Sequence, residues 1–214
     1  MNRGGMIKKK ILITSGAHPI ALSLTEELLR LGHQVTLMGQ FEEGNQSTKH
    51  LLEYPGFTRL VHDVACSLYL DMDEVYDLSS QYCEEKQGPI LGMRQVVFGT
   101  YNLLCLAKRS RAKLLHLTEY VDFSSADGMH EAKRLAQRFC AAFEEEGLWV
   151  KILDLLPEQA EMIAAQISTC RLLRQKESLE SASFFIHFAR KLIRSMESSL
   201  PHKKTAFLKD LVPS

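Results

Sequence analysis

The sequence has no surplus of charge of either sign: 26 lysines and arginines meet 26 aspartates and glutamates over 214 residues. No global field therefore draws the chain toward nucleic acid or an anionic membrane. Its cysteines, Cys66, Cys83, Cys105, Cys140 and Cys170, are odd in number and scattered, with no CxxC and no Cys/His spacing suited to zinc. That excludes a disulfide framework and a structural zinc module. The expectation is a cytoplasmic chain with reduced, mostly buried thiols and no metal site. The start, MNRGGMIKKK, is basic but passes straight into a short apolar strand, which predicts neither a signal peptide nor a membrane span. Residues 1–6 are expected to form a flexible tail. Internal repeats and low-complexity tracts are also missing, which excludes solenoids and compositional linkers.

What is present is a chain 45% hydrophobic and 24% charged, long enough for one well-buried domain over residues 7–214 and short for two. The stretch 8–39, KKKILITSGAHPIALSLTEELLRLGHQVTLMG, organises the rest. Ile11, Leu12 and Ile13 form a β-branched run suited to a parallel strand covered on both faces. Pro19 suits a first helical position, Ile20, Leu24, Leu28 and Leu31 follow at helical spacing, and Gly32 closes the element. Val35 to Met38 supply a second strand. A strand-helix-strand crossover of this length is right-handed and parallel in nearly all cases, so the chain opens as a Rossmann-type mononucleotide unit.

The turn of that unit departs from the dinucleotide fingerprint. The fingerprint places glycine at three positions, for a tight turn, for close approach of the pyrophosphate, and for helix packing. In Thr14-Ser15-Gly16-Ala17-His18-Pro19-Ile20-Ala21 those positions fall on Ser15, His18 and Ala21. Ala21 is a mild change. His18 places an imidazole where phosphates would sit, and Pro19 removes an N–H from the helix terminus that would face the anion. The rival reading, a protonated His18 gripping a phosphate, must accept a changed backbone path as well. At the end of the second strand, where an acid would hold the ribose hydroxyls, stand Gly39 and Gln40.

Further along, a short helix is predicted around 47–52, a third strand over 58–62 ending at Asp63, and a fourth over 75–78 followed by Ser79. Asp63 is placed either to meet an adenine amino group or to cap a turn. Residues 89–109 predict a long helix with Ile90, Met93, Val97, Tyr101, Leu104 and Ala107 on one face, widened by Leu91, Phe98 and Cys105. So broad a stripe covers both a sheet and a partner. A fifth strand over 113–117 contains His116, read as a hydrogen-bonded core residue. A second long helix over 127–146 turns Ala132, Leu135, Phe139, Ala142 and Phe143 inward. A sixth strand at 148–155, helices at 157–173 and 178–196, and an end segment at 208–213 that is either frayed or a brief strand complete a doubly wound α/β sheet of about six or seven strands.

Several strings in this order, KKILIT, LGHQVTLMGQF, HDV, DEVYDLSS, GTYNLLCLAKR, EAKRLAQ and AFLKDLV, resemble the extended short-chain dehydrogenases. The likeness is to their NAD-dependent epimerase/dehydratase branch and to the UDP-glucuronate decarboxylases within it, and it runs over the whole chain. It implies a tyrosine acid/base, a lysine four residues later that lowers its pKa, and a strand-five serine or threonine. The lysine matches Lys133, which puts Met129 at the tyrosine position, where a thioether cannot move a proton. The strand-five hydroxyl falls at Thr118 or Glu119. The resemblance implies a vestigial cofactor set of Ser15, Gly16, His18, Ala21, Asp63, Ser79 and Lys133, with NAD the cofactor if any binds and none expected. A replacement acid/base from His130, Lys133 and Glu119 is conceivable, but three polar residues near a cleft often meet by chance.

The loops that build the family's nucleotide-sugar pocket look cut down here, so the substrate subdomain is expected to be largely lost. In the family the helices at 89–109 and 127–146 pack against their copies, which implies a homodimer here, or a heterodimer with an active relative. The expected function is that of a degenerate member acting by binding or assembly, with no nucleic acid or membrane partner. Two rival expectations stand beside it: a nucleotide-sugar decarboxylase or epimerase that still uses NAD, and a small-molecule sensor using the altered crevice.

Overall fold

The structure, a computed structural model, describes residues 7–16, 18–41, 46–79, 88–119, 127–155, 158, 162, 163, 165, 179–197 and 206–207. Seven strands form one parallel sheet in the order β3-β2-β1-β4-β5-β6-β7: β1 (Lys10–Ile13), β2 (Gln34–Gly39), β3 (Phe57–Val61), β4 (Glu74–Asp77), β5 (Lys113–Glu119), β6 (Val150–Leu155) and β7 (Ala206–Phe207). The order reverses between β1 and β4, and the carboxyl ends of those strands form the crevice where ligands bind in open α/β sheets. Register is set by apolar pairs such as Ile11 beside Val35 and Leu12 beside Val75.

Helices cover both faces. α1 (Pro19–Arg30) and α4 (Leu179–Glu197) lie on one side, closing a core of Ile11, Ile13, Leu24, Tyr76, Leu115, Leu153 and Phe188. α2 (Pro89–Ser110) and α3 (Gly128–Glu145) lie on the other, over Leu12, Val75, Leu114 and Val150. The segment expected as a helix at 47–52 is a 3-10 helix, Gln46–Glu53. The closing strand forms at Ala206–Phe207, ahead of the expected 208–213, which lies outside the described residues along with the tail at 1–6 and most of the helix expected at 157–173.

The long helices bury the expected apolar faces only in part. α2 buries Leu104 and Ala107 of its expected stripe together with Gly92, Val96, Gly99, Thr100, Leu103 and Leu106, while Ile90 is 78% exposed and Phe98 55%. The physical reason is approach distance, since small residues let the helix settle closely on its neighbours; a Cβ at Gly99 would come within 2.9 Å of Val64 Cγ1. α3 likewise buries Ala132, Lys133, Ala136 and Cys140, leaving Leu135 and Ala142 exposed and Phe139 and Phe143 half-buried. By length and composition α2 is apolar enough to cross a membrane, with a mean hydropathy of 1.3 over its most apolar stretch, but in this fold it packs on the sheet and on α3. Leu31 closes α1 from an exposed position. Of the three described cysteines Cys140 alone is buried, Cys105 is half-buried and Cys66 is exposed, so the thiols are less buried than expected.

Candidate functional site

The first turn leaves β1 through Thr14 and enters α1 at Pro19, as the strand and helix patterns dictate. Ser15 takes φ +63°, the left-handed region that favours glycine, so the turn path survives on a residue that strains to follow it. Three amides of the turn donate to protein acceptors: Thr14 to Tyr76 O at 3.1 Å, Gly16 to Met38 O at 3.0 Å, and His18 to Ser15 O at 2.8 Å. His18 is the N-cap of α1, and its Nδ1 accepts the Ile20 amide at 3.2 Å. Pro19 supplies no N–H, and the Leu22 amide bonds to His18 O at 3.0 Å. Phe41 packs on the turn, so that a Cβ at Gly16 would meet its Cζ at 2.4 Å, and the Arg59 guanidinium lies 5.5 Å from the ring centroid on β3. Ala21, third of the replaced glycine positions, is fully buried in the α1 core.

Asp63 lies past β3 and is committed locally. Its carboxylate accepts from Ala65 N at 2.9 Å, closing an Asx turn, and pairs with Arg94 of α2 at 3.0 Å.

Sequence reasoning missed a polar stripe beneath α2 and α3. Strand alternation carries the face holding Leu12, Val75, Leu114 and Ile152 on to Thr14, Asp77, His116 and Asp154. Asp77 and His116 are directly paired in register, fully buried, with Asp77 Oδ2 2.8 Å from His116 Nδ1. Thr100 of α2 donates to the same carboxylate oxygen at 3.1 Å, and Ser79 donates to Oδ1 through its hydroxyl at 2.5 Å and its amide at 3.0 Å. Ser79, expected as cofactor ligand or loop cap, is thereby drawn into this network. Thr14 binds it from β1, accepting Leu78 N at 2.8 Å and reaching Asp77 Oδ1 at 3.5 Å. The polar network therefore spans the β1/β4 crevice.

Burial alone would raise Asp77, but the facing His116 and the Ser79 hydrogen bonds outweigh it and hold the carboxyl below its usual range. Asp154 has fewer such partners. It accepts from Gln137 of α3 at 3.1 Å, and burial, only partly opposed by His116, pushes its pKa up to about 6. Burial likewise pushes the Cys140 thiol well up, away from nucleophilic use. The signal that could have exposed the pair is period two: Asp77 and His116 each continue a buried strand face on which a hydrocarbon is expected.

The residues expected to do family chemistry divide. Thr118 is fully buried at the end of β5, and Lys133 is 9% exposed on α3. The Glu119 side chain falls outside the described residues. Met129 packs with Val96, Ala132 and Ala136 between α2 and α3. His130 is half-buried, 3.3 Å from the Asp127 carboxylate. An apolar groove of about 410 Å³ opens between α2 and α3, lined by Met93, Val97, Gly128, Ala132 and Leu135 with Arg134 and Arg138 at its edge. A smaller hollow of about 220 Å³ lies at the amino-terminal edge of β1 to β3, remote from the turn. No cluster of metal-ligating side chains occurs among the described residues.

No model of a known protein family matches the chain. It is similar to UDP-glucuronic acid decarboxylase 1 of Xenopus tropicalis, 31% identical over 168 residues, or 68% of this chain and 40% of that protein. The same decarboxylase of Danio rerio is 30% identical over 169 residues, with the same coverage. The chain thus spans about 40% of the length of these relatives. Among solved structures, the Bordetella bronchiseptica enzyme WbmH in complex with NAD+ superposes with a TM-score of 0.62 at 16% identity, covering 90% of this chain and 73% of that one. At that identity the match shows the fold alone.

Proposed function

Because the chain belongs to the extended short-chain dehydrogenase/reductase family, in its NAD-dependent epimerase/dehydratase branch, we propose that it is a shortened member that works by binding and assembly and carries out no hydride transfer. The observation that carries this reading is the capped turn. Anion binding at a helix N-terminus needs outward-facing amides, and here Gly16, His18 and Ile20 give theirs to Met38, Ser15 and the His18 ring. On this reading the turn does not fit a dinucleotide's diphosphate. The proton carrier is gone as well, since Met129 packs as a hydrocarbon at the tyrosine position. Calorimetry of the purified chain against NAD+, NADH, NADP+ and UDP-sugars tests it: no saturable heat is expected, and saturable binding of any of them overturns it.

The surface used is the outward side of α2 and α3. Ile90, Phe98, Tyr101 and Leu135 are exposed there around the groove, and apolar patches of this kind mark protein contact sites. A second copy of the chain, or an active relative with the same helices, covers that face in the cytoplasm. Light scattering at micromolar concentration checks it, the mass of two chains being expected for the self-association arm.

A second reading has its own support. Thr118 and Lys133 are retained and buried at the carboxyl edge of the sheet, which suits a decarboxylase or epimerase with weak NAD binding. The same calorimetry separates the two.

A further inference from the structure

We propose that the buried Asp77–His116 pair is a register lock: it seats α2 and α3 on the sheet and so shapes the face those helices offer to a second copy. The last clause rests on the assembly reading above.

A buried polar pair is an unusual choice for this position. Hydrophobic residues of similar volume, well packed, are often as stabilising or more so, because both polar groups must be taken out of water. What hydrocarbon lacks is direction. The inward face of α2 mixes Gly92, Gly99 and Thr100 with Val96, Leu103 and Leu104, and ridges and grooves of such residues alone allow more than one seating. Thr100 reaches Asp77 Oδ2 from that helix at 3.1 Å, and the same oxygen receives His116. From α3, Gln137 reaches Asp154 at 3.1 Å, and Cys140 is fully buried. Each helix is thus tied by a directional bond to a carboxylate on a different strand.

His116 stands between those two carboxylates on the same sheet face. Its Nδ1 serves Asp77, and its Nε2 is fully buried with no partner among the described residues. A buried ring nitrogen left so is costly. The polar groups gathered around the lock are Thr14 from β1, Asp77 and Ser79 from β4 and its exit, and His116 from β5. Asp154 from β6, Thr100 from α2 and Gln137 with Cys140 from α3 complete the set.

The test uses the full chain with Asp77→Leu, His116→Leu, both together, and Thr100→Val with Gln137→Leu. Each single leucine variant should lose much of the urea midpoint, since it leaves one polar partner buried alone. The double variant should regain most of that midpoint while amide exchange over 89–110 and 128–145 speeds up by about tenfold or more. Self-association should weaken in parallel. A double variant with wild-type protection in both helices overturns the lock, as does one that stays as unstable as the singles while still folding. If it does not fold, the Thr100/Gln137 variant decides: unchanged exchange in α2 and α3 rejects the lock, and faster exchange upholds it. Should the wild-type chain sediment as a single copy, the assembly reading falls, and the exchange data still judge the lock.

Discussion

The imidazole of His18 folds back onto the helix it precedes, its Nδ1 taking the Ile20 amide at 3.2 Å. A side chain at one of the fingerprint's glycine positions has thereby become part of the helix's own termination. A neutral ring nitrogen is required for that role, because an acceptor lone pair must face the amide.

Replacing His18 with alanine removes this cap. A lost N-cap costs about 1 kcal/mol, and urea denaturation should show a loss of that size. NAD binding should not appear with it, because the Gly16 and His18 amides remain bonded to Met38 and Ser15. A Kd for NAD in the micromolar range for this variant would show that the ring alone had been excluding the cofactor.

Ser15 holds φ +63°. A left-handed conformation costs a non-glycine residue about 1–2 kcal/mol, so Ser15→Gly should raise the unfolding free energy by about 1 kcal/mol, and Ser15→Val should lower it. Thermal melts of the pair, run side by side, check the ordering.

Asp154 makes stability depend on pH in a defined direction. Its folded pKa, about 6, lies above the ordinary value of 3.8, so the native state binds the proton more tightly than the unfolded chain. The stabilising contribution is complete below about pH 4 and is lost as the pH rises through 6. Asp77 acts in the opposite sense: held below its ordinary value, it stabilises above pH 3.8 and loses that contribution on further acidification. Urea midpoints between pH 4 and 7 should therefore fall less steeply for Asp154→Asn than for the wild type. Parallel curves would remove Asp154 as the source.

Phe98 is more than half exposed on the outward side of α2. Phe98→Glu should leave monomer stability within about 0.5 kcal/mol, as surface substitutions do. It should also reduce a two-chain mass in light scattering to that of one chain. A two-chain mass that persists would place the contact elsewhere.

Much of the architecture was legible because it rests on local periodicity. The β-branched run at Ile11 to Ile13, Pro19 at the start of α1 and the short apolar runs around Val75 and Leu114 each write their own element. The inward side of α2 was legible only in part: Leu104 and Ala107 of its apolar stripe are buried, whereas Ile90, Phe98 and Tyr101 of the same stripe are exposed. Gly99 and Thr100 are buried for their small size, which a reading of apolar spacing does not weigh. The Asp77–His116 pair was hidden for a different reason. The two residues are 39 positions apart and meet only through the β4/β5 register, which no local window contains. His116 was legible as a bonded core residue, but its partner was not. At the turn, the three replaced glycine positions could be read directly, whereas the destinations of the amides required the tertiary structure.

The outward apolar stripe of α2 also carries a practical consequence. A chain that leaves Ile90 and Phe98 bare in water holds a standing invitation to unspecific sticking. Yield and solubility in recombinant expression should therefore track whether that side finds its cover, rising sharply when a suitable companion is produced in the same cell.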